Sequence, residues 1–114
     1  MNKIEAIIQP TQVDAVKNAL VNIGIQGMTV VPVEGFGQQK GYDLFYRGTV
    51  YTPRFLAKSK IEIVVMEEMT DLVVETIAAT VRTGHIGDGK IFVLPVIEAI
   101  RVRTNEKAGS ALTA

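Results

Sequence analysis

The chain is 114 residues long, contains no cysteine, and sets twelve basic residues against twelve acidic ones for a formal charge of zero. That length holds one domain with a real core and is short for two. The neutral balance excludes a general nucleic-acid binder, which needs a positive surface, and the missing cysteine excludes disulfides, thiol catalysis and cysteine-ligated zinc.

Apolar content is ordinary for a globular protein, and no apolar run is long enough to cross a bilayer. Met1-Asn2-Lys3-Ile4-Glu5 already reads as a strand without signal-peptide architecture, so a cytoplasmic protein is expected. Lys3 to Ile8 is a short β-branched run, the first strand. Val13, Val16, Leu20 and Val21 then recur three or four apart, the stripe of an amphipathic helix. Thr11 and Asp14 are spaced as a capping pair, and Gly24 is placed to end that helix. Ile25 to Phe36 is rich in Val, Thr and Ile and reads as a second strand, with Pro32 marking an edge or a bulge.

From Gly37 to Phe55 about nineteen residues show no clean period. Loops longer than ~12–15 residues are uncommon in a compact domain and usually functional. This one carries all three tyrosines, Tyr42, Tyr46 and Tyr51, with Lys40, Arg47 and Arg54. Tyrosine and arginine anchor interfaces, which suits an arm that docks on a partner. A long hairpin standing on the sheet is the plainer alternative.

Lys60-Ile61-Glu62-Ile63-Val64-Val65 echoes the first strand. Val73, Val74, Ile77 and Val81 form a second stripe, on a helix beginning near Thr70 and ended by Gly84. Ile91 to Leu94 starts a last strand toward Ile97, with Pro95 interrupting it. Two β-α-β units in succession predict an α+β, ferredoxin-like domain: a four-stranded antiparallel sheet with two helices on one face. Ala6, Ile8, Met28 and Val30 are expected on the other face. At about 25 cal/mol per Å² of apolar area, their burial favours an oligomer.

Between the second helix and the last strand, Gly87 and Gly89 flank Asp88 and precede Lys90. Glycines can turn successive N–H groups inward to bind an anion, and Lys90 adds a charge at the rim. The same residues make an ordinary turn. Further on, Arg101 and Arg103 would share a strand face, roughly 6.5–7 Å apart. That spacing suits neighbouring phosphates, although an edge strand protected by charge would look the same. The tail after Thr104 is small and polar, expected to fray or to drape on a neighbour.

Taken together, these segments resemble the PII nitrogen-regulatory signal-transduction proteins along nearly the whole chain. The likeness is carried by Lys3 to Ile8, Gly24 to Val30, Gly35-Phe36-Gly37, Gln39-Lys40-Gly41, Tyr46-Arg47-Gly48, Lys60 to Val65, Thr83-Gly84, Gly87 to Phe92, and Arg101 with Arg103. The resemblance implies one domain over residues 1–114, a homotrimer, and ATP or ADP in the clefts between subunits. It implies phosphate contacts from Gly87, Asp88, Gly89, Lys90, Arg101 and Arg103, with Thr29, Glu62 and Val64 near the base. Gly35, Gly37 and Gln38 fall at the mouth of that cleft.

The excursion, about 37–55, corresponds to the family's T-loop, and the tail is about 105–114. By the same likeness Gln39 helps hold Mg²⁺ beside ATP, and Gln39, Lys40, Gly41 and Lys58 make up a 2-oxoglutarate site. The implied targets are an ammonium transporter, another membrane transporter, or an enzyme of nitrogen metabolism, with no nucleic acid. Membrane association would then come only through a transporter partner. Tyr51 stands where some members are uridylylated. Departures are Gln38 in place of an arginine, Gln9 in place of a basic residue, Thr11-Gln12 in place of Phe-Lys, and an apolar loop tip at Leu44-Phe45, which hints at a different target.

His85 is the single histidine. There is no Ser/His/Asp set, no metal-ligand spacing and no pair of carboxylates, so a regulator that acts by binding is expected rather than an enzyme. The alternatives are a trimer with altered effector specificity, a weak ATPase on the same fold, and a structural trimer with a vestigial site.

Overall fold

The computed structural model describes residues 1–37 and 54–113. Side chains alternate along β1 (Asn2–Ile8), so that Ile4, Ala6 and Ile8 are completely buried while Lys3, Glu5 and Ile7 stay partly open. β3 (Leu56–Val65) repeats the alternation with Ser59, Ile61, Ile63 and Val65 inward. The two pair antiparallel, Ile4 opposite Ile63 and Glu5 opposite Glu62. β2 (Thr29–Gly35) adds to β3 and β4 (Lys90–Pro95) adds to β1, both antiparallel, in the order β2-β3-β1-β4. Pro32 lies on an edge strand, where its missing N–H costs no ladder bond.

Helices α1 (Val13–Asn22) and α2 (Thr70–Val81) cover the inward face. Val16 and Leu20 of α1, with Val73, Ile77 and Val81 of α2, complete the core. The order β-α-β-β-α-β with this sheet is the ferredoxin-like fold. Gly24 ends α1 at φ +96°, where the Ile25 N–H reaches the Leu20 carbonyl and the Gly24 N–H the Val21 carbonyl, both at 3.0 Å.

Several expectations are corrected. Ala6 and Ile8 do not face outward; they lie fully buried beneath the helices. Met28 packs on the same core, and Val30 stands opposite Ile61 and shares its face. Strand parity decides this, because a shift of one residue exchanges faces. The face that the described residues leave uncovered carries Lys3, Glu5, Lys60 and Glu62 at its centre, with Val31, Val64, Phe92 and Leu94 around them.

Thr11 sits inside a 3-10 turn, Pro10–Gln12, and no side chain caps α1. Val21 is 59% exposed and off the stripe. α2 does begin at Thr70, whose Oγ1 accepts a bond from Asn2 Nδ2 at 2.9 Å. It ends at Val81 because Arg82 turns extended, so Gly84 belongs to the following loop. Arg101 to Thr104 form a turn, not a strand, closed by the Arg101 N–H on the Glu106 carbonyl at 2.8 Å. The tail folds back in another 3-10 turn, Ala108–Leu112, against β3.

Candidate functional site

The loop from α2 to β4 is organised by one carboxylate. Asp88 accepts the N–H of Thr83 at 2.8 Å, the N–H of Gly84 at 2.9 Å and the Thr83 hydroxyl at 2.5 Å. These bonds favour the ionised form, first the Thr83 hydroxyl and then the amides, and hold the Asp88 carboxyl below its usual 3.8. The His85 N–H closes onto the Thr83 hydroxyl at 3.1 Å.

Two backbone reversals then carry the chain into β4. Gly87 and Gly89 adopt φ +104° and +110°, on either side of Asp88. A Cβ at Gly89 would lie 1.9 Å from the Ile7 carbonyl oxygen, so only glycine passes there. Gln9 Nε2 donates to the Gly87 carbonyl at 2.8 Å and ties the loop to the end of β1.

The loop walls a cleft of about 760 Å³, within the range of small-molecule sites. Gly35, Phe36 and Gly37 form its mouth at the end of β2. Ile7, Leu56 and Phe92 supply an apolar floor, and Lys58 and Lys90 supply two cations. Burial pushes the Lys58 ammonium down from its usual value, so a bound anion would help it keep its proton. At the mouth, the Phe36 and Phe55 rings meet edge to face, centroids 5.4 Å apart, across the base of the excursion.

Seven of the residues assigned from sequence line this one cleft: Gly35, Gly37, Lys58, Gly87, Asp88, Gly89 and Lys90. Thr29, Glu62 and Val64 lie elsewhere on the uncovered sheet face. Thr29 is paired with Glu62, and Val64 with Lys3. Glu62 belongs to a square of alternating charge, 2.6 Å from Lys3 and 3.4 Å from Lys60, with Glu5 closing the other side. The Lys3 contact holds the Glu62 carboxyl below its usual value and raises Lys3. Arg101 and Arg103 form a third group, at the turn after β4. Gln38, Gln39, Lys40, Gly41 and Tyr51 lie outside the described residues.

Sequence reasoning missed Ile7, Leu56 and Phe92 as cleft residues. Their signal was parity: Phe92 stands opposite Glu5, and Ile7 opposite Lys60 and Lys90. It also missed that Gln9 braces the loop. Among the described residues, no group of three or more His, Asp or Glu is placed to hold a metal ion, and no helix is long and apolar enough to cross a membrane.

Comparison with known proteins agrees with this fold. Residues 1–106 match the family model described as "Nitrogen regulatory protein P-II". A "Nitrogen regulatory protein P-II" of Nostoc punctiforme is 57% identical over 112 residues, covering 98% of this chain and 100% of the relative. "Nitrogen regulatory protein P-II 1" of Escherichia coli K12 is 53% identical with the same coverage. Among solved structures, Arabidopsis thaliana PII bound to citrate superposes with a TM-score of 0.81 at 44% identity, covering 99% of this chain and 90% of that one.

Proposed function

Since this chain belongs to the nitrogen regulatory protein P-II family, we propose that it is a non-enzymatic sensor of adenine nucleotides that controls a target protein through the excursion at about 37–55. The observation that supports this best is the cleft itself. It sets left-handed glycines and two lysines against an apolar floor of Ile7, Leu56 and Phe92. A phosphate chain fits the first half of that description and a planar base the second.

The scatter of the remaining assigned residues supports a homotrimer. Thr29, Glu62, Val64, Arg101 and Arg103 do not line the cleft of their own chain, and a neighbouring copy laid against the uncovered face would bring such residues to it. In this reading ATP and ADP compete for one site. Gly87 to Lys90, Arg101 and Arg103 hold the phosphates. Mg²⁺ would be held by phosphate oxygens and Gln39, whose role is to orient the triphosphate.

Lys58, together with Gln39, Lys40 and Gly41, would meet the carboxylate of 2-oxoglutarate. The relative bound to citrate lends weight to a carboxylate ligand. The loop then engages an ammonium transporter, another membrane transporter or an enzyme of nitrogen metabolism, according to the nucleotide seated. A ligand shifts such an equilibrium only by its differential affinity for the loop states.

Calorimetric titration of the intact protein with ATP and with ADP tests the reading. Both should bind and compete. Lys90→Ala should lose a charged contact worth about 1.5–3 kcal/mol, roughly ten- to hundredfold in affinity, without unfolding. Undiminished affinity in that variant means that the phosphates are held elsewhere. Steady turnover of ATP would instead favour an enzyme.

A further inference from the structure

Arg101 has been assigned to phosphate, yet its guanidinium faces the end of its own chain. Nη2 donates to the Ser110 carbonyl and to the Thr113 hydroxyl, each at 2.9 Å, and also to the Thr113 carbonyl. Nη1 meets the Glu106 carboxylate at 3.3 Å. Several oxygens gathered around one planar fork reproduce what a phosphate offers an arginine.

The segment that carries these oxygens is also held elsewhere, by the contact of its 3-10 turn with β3. The Ala108 N–H reaches the Ala99 carbonyl at 3.0 Å, and Gly109 lies against Met66, close enough that a Cβ there would sit 3.4 Å from its sulfur. The turn back toward Arg101 passes through Asn105 at φ 61° and Ala108 at φ 53°, left-handed conformations unfavourable for residues with a Cβ. Residues 110–113 are therefore held by the guanidinium together with the packing of the 3-10 turn on β3.

We infer that the segment Ala108–Thr113 is a resident occupant of Arg101, and that a nucleotide phosphate must displace it, so that phosphate binding and release of the C-terminal segment are one equilibrium. This deepens the reading above and rests on Arg101 being a phosphate ligand. The tail presents mainly neutral oxygens, whereas a phosphate carries full charge and adds Coulomb attraction and a bidentate match to the guanidinium fork. The tail accordingly holds the arginine when nucleotide is scarce and yields it when nucleotide is abundant. Reciprocity requires that whatever pins the tail also weakens nucleotide binding.

Two measurements test this. The first is ATP affinity of the chain ended after Lys107. If the tail occupies Arg101 nine-tenths of the time, its removal tightens ATP about tenfold. Unchanged or weaker affinity in the truncated protein overturns the clasp. The second uses the full chain. Because it has no cysteine, Ser110→Cys gives a unique site for a spin label. The label should become mobile on addition of ATP, remain ordered with adenosine, which has no phosphate, and be mobile without ligand in the Arg101→Ala background. A label whose mobility is unchanged at saturating ATP overturns the inference even if the truncated chain does not fold. If Arg101→Ala leaves ATP affinity of the full chain unchanged, the assignment of Arg101 to phosphate is what fails, a result separate from the other two.

Discussion

Asp88 and Gly89 sit side by side and constrain the same loop by different means. Asp88 acts through its charge. Its carboxyl is held below 3.8 by the Thr83 hydroxyl and by the Thr83 and Gly84 amides, so as pH falls the unfolded chain takes up that proton first. The stabilisation is whole above about 3.8 and is lost as pH drops through the folded value. Protection of the Thr83 and Gly84 amides against exchange, relative to the intrinsic rate at each pH, should therefore fall in acid, and Asp88→Asn should show the low protection already at neutral pH. Gly89 acts through the absence of a side chain. Gly89→Ala would place a Cβ 1.9 Å from the Ile7 carbonyl in a left-handed conformation. A loss of roughly 2–4 kcal/mol on thermal unfolding is expected, from backbone strain and overpacking together. The Gly-Asp-Gly-Lys spacing was visible in the sequence as a turn or an anion nest. That Asp88 turns back on its own loop was not, because the donors at Thr83 and Gly84 meet it only once α2 has ended at Val81.

Elements were legible where a period was long enough to set a face. The stripe Val73, Ile77 and Val81 gave α2 and its burial, and Gly24 gave the end of α1. Gly24→Ala isolates the conformational cost of that end, since nothing lies within 4 Å of an added Cβ. It should cost about 1–2 kcal/mol, less than the change at Gly89, and leave nucleotide affinity unaltered. Helix starts were less legible. Thr11 and Asp14 had the spacing of a cap, yet Pro10 begins a 3-10 turn that absorbs Thr11. Strand parity failed at Ala6 and Ile8 for a different reason. A run such as Ala6-Ile7-Ile8 is apolar on both sides, so its inward face is fixed only when Ile61 and Ile63 pair beside it and the helices settle on top.

At the scale of the molecule, the uncovered face needs a physical account. It presents two lysines and two glutamates in a square with side chains only 20–32% exposed, ringed by Val31, Val64, Phe92 and Leu94. On a monomer such pairs contribute little. Their mutual compensation lets the face be buried against another copy without an orphan charge. Sedimentation at micromolar concentration should give a trimer; a monomer only would contradict the shared cleft. Deleting Tyr42 to Pro53 removes most of the link between the paired ends Gly35 and Leu56 and should leave the sheet intact, because β2 and β3 pair below it. A partner recovered from extract by the intact protein in the presence of ATP or ADP should then be lost. Its recovery by the shortened protein would remove the arm's role.

By itself the sequence determined the order of elements, the length of the excursion, the glycine turn with its lysine, and the family. These are local or periodic properties, carried by spacing along one strand of chain. Only the tertiary structure decided which face of β1 is buried, that Ile7, Leu56 and Phe92 floor the cleft, and that Arg101 grips the tail beside Ser110 and Thr113. Each of these depends on residues far apart in sequence meeting in one register, which no period within a segment encodes.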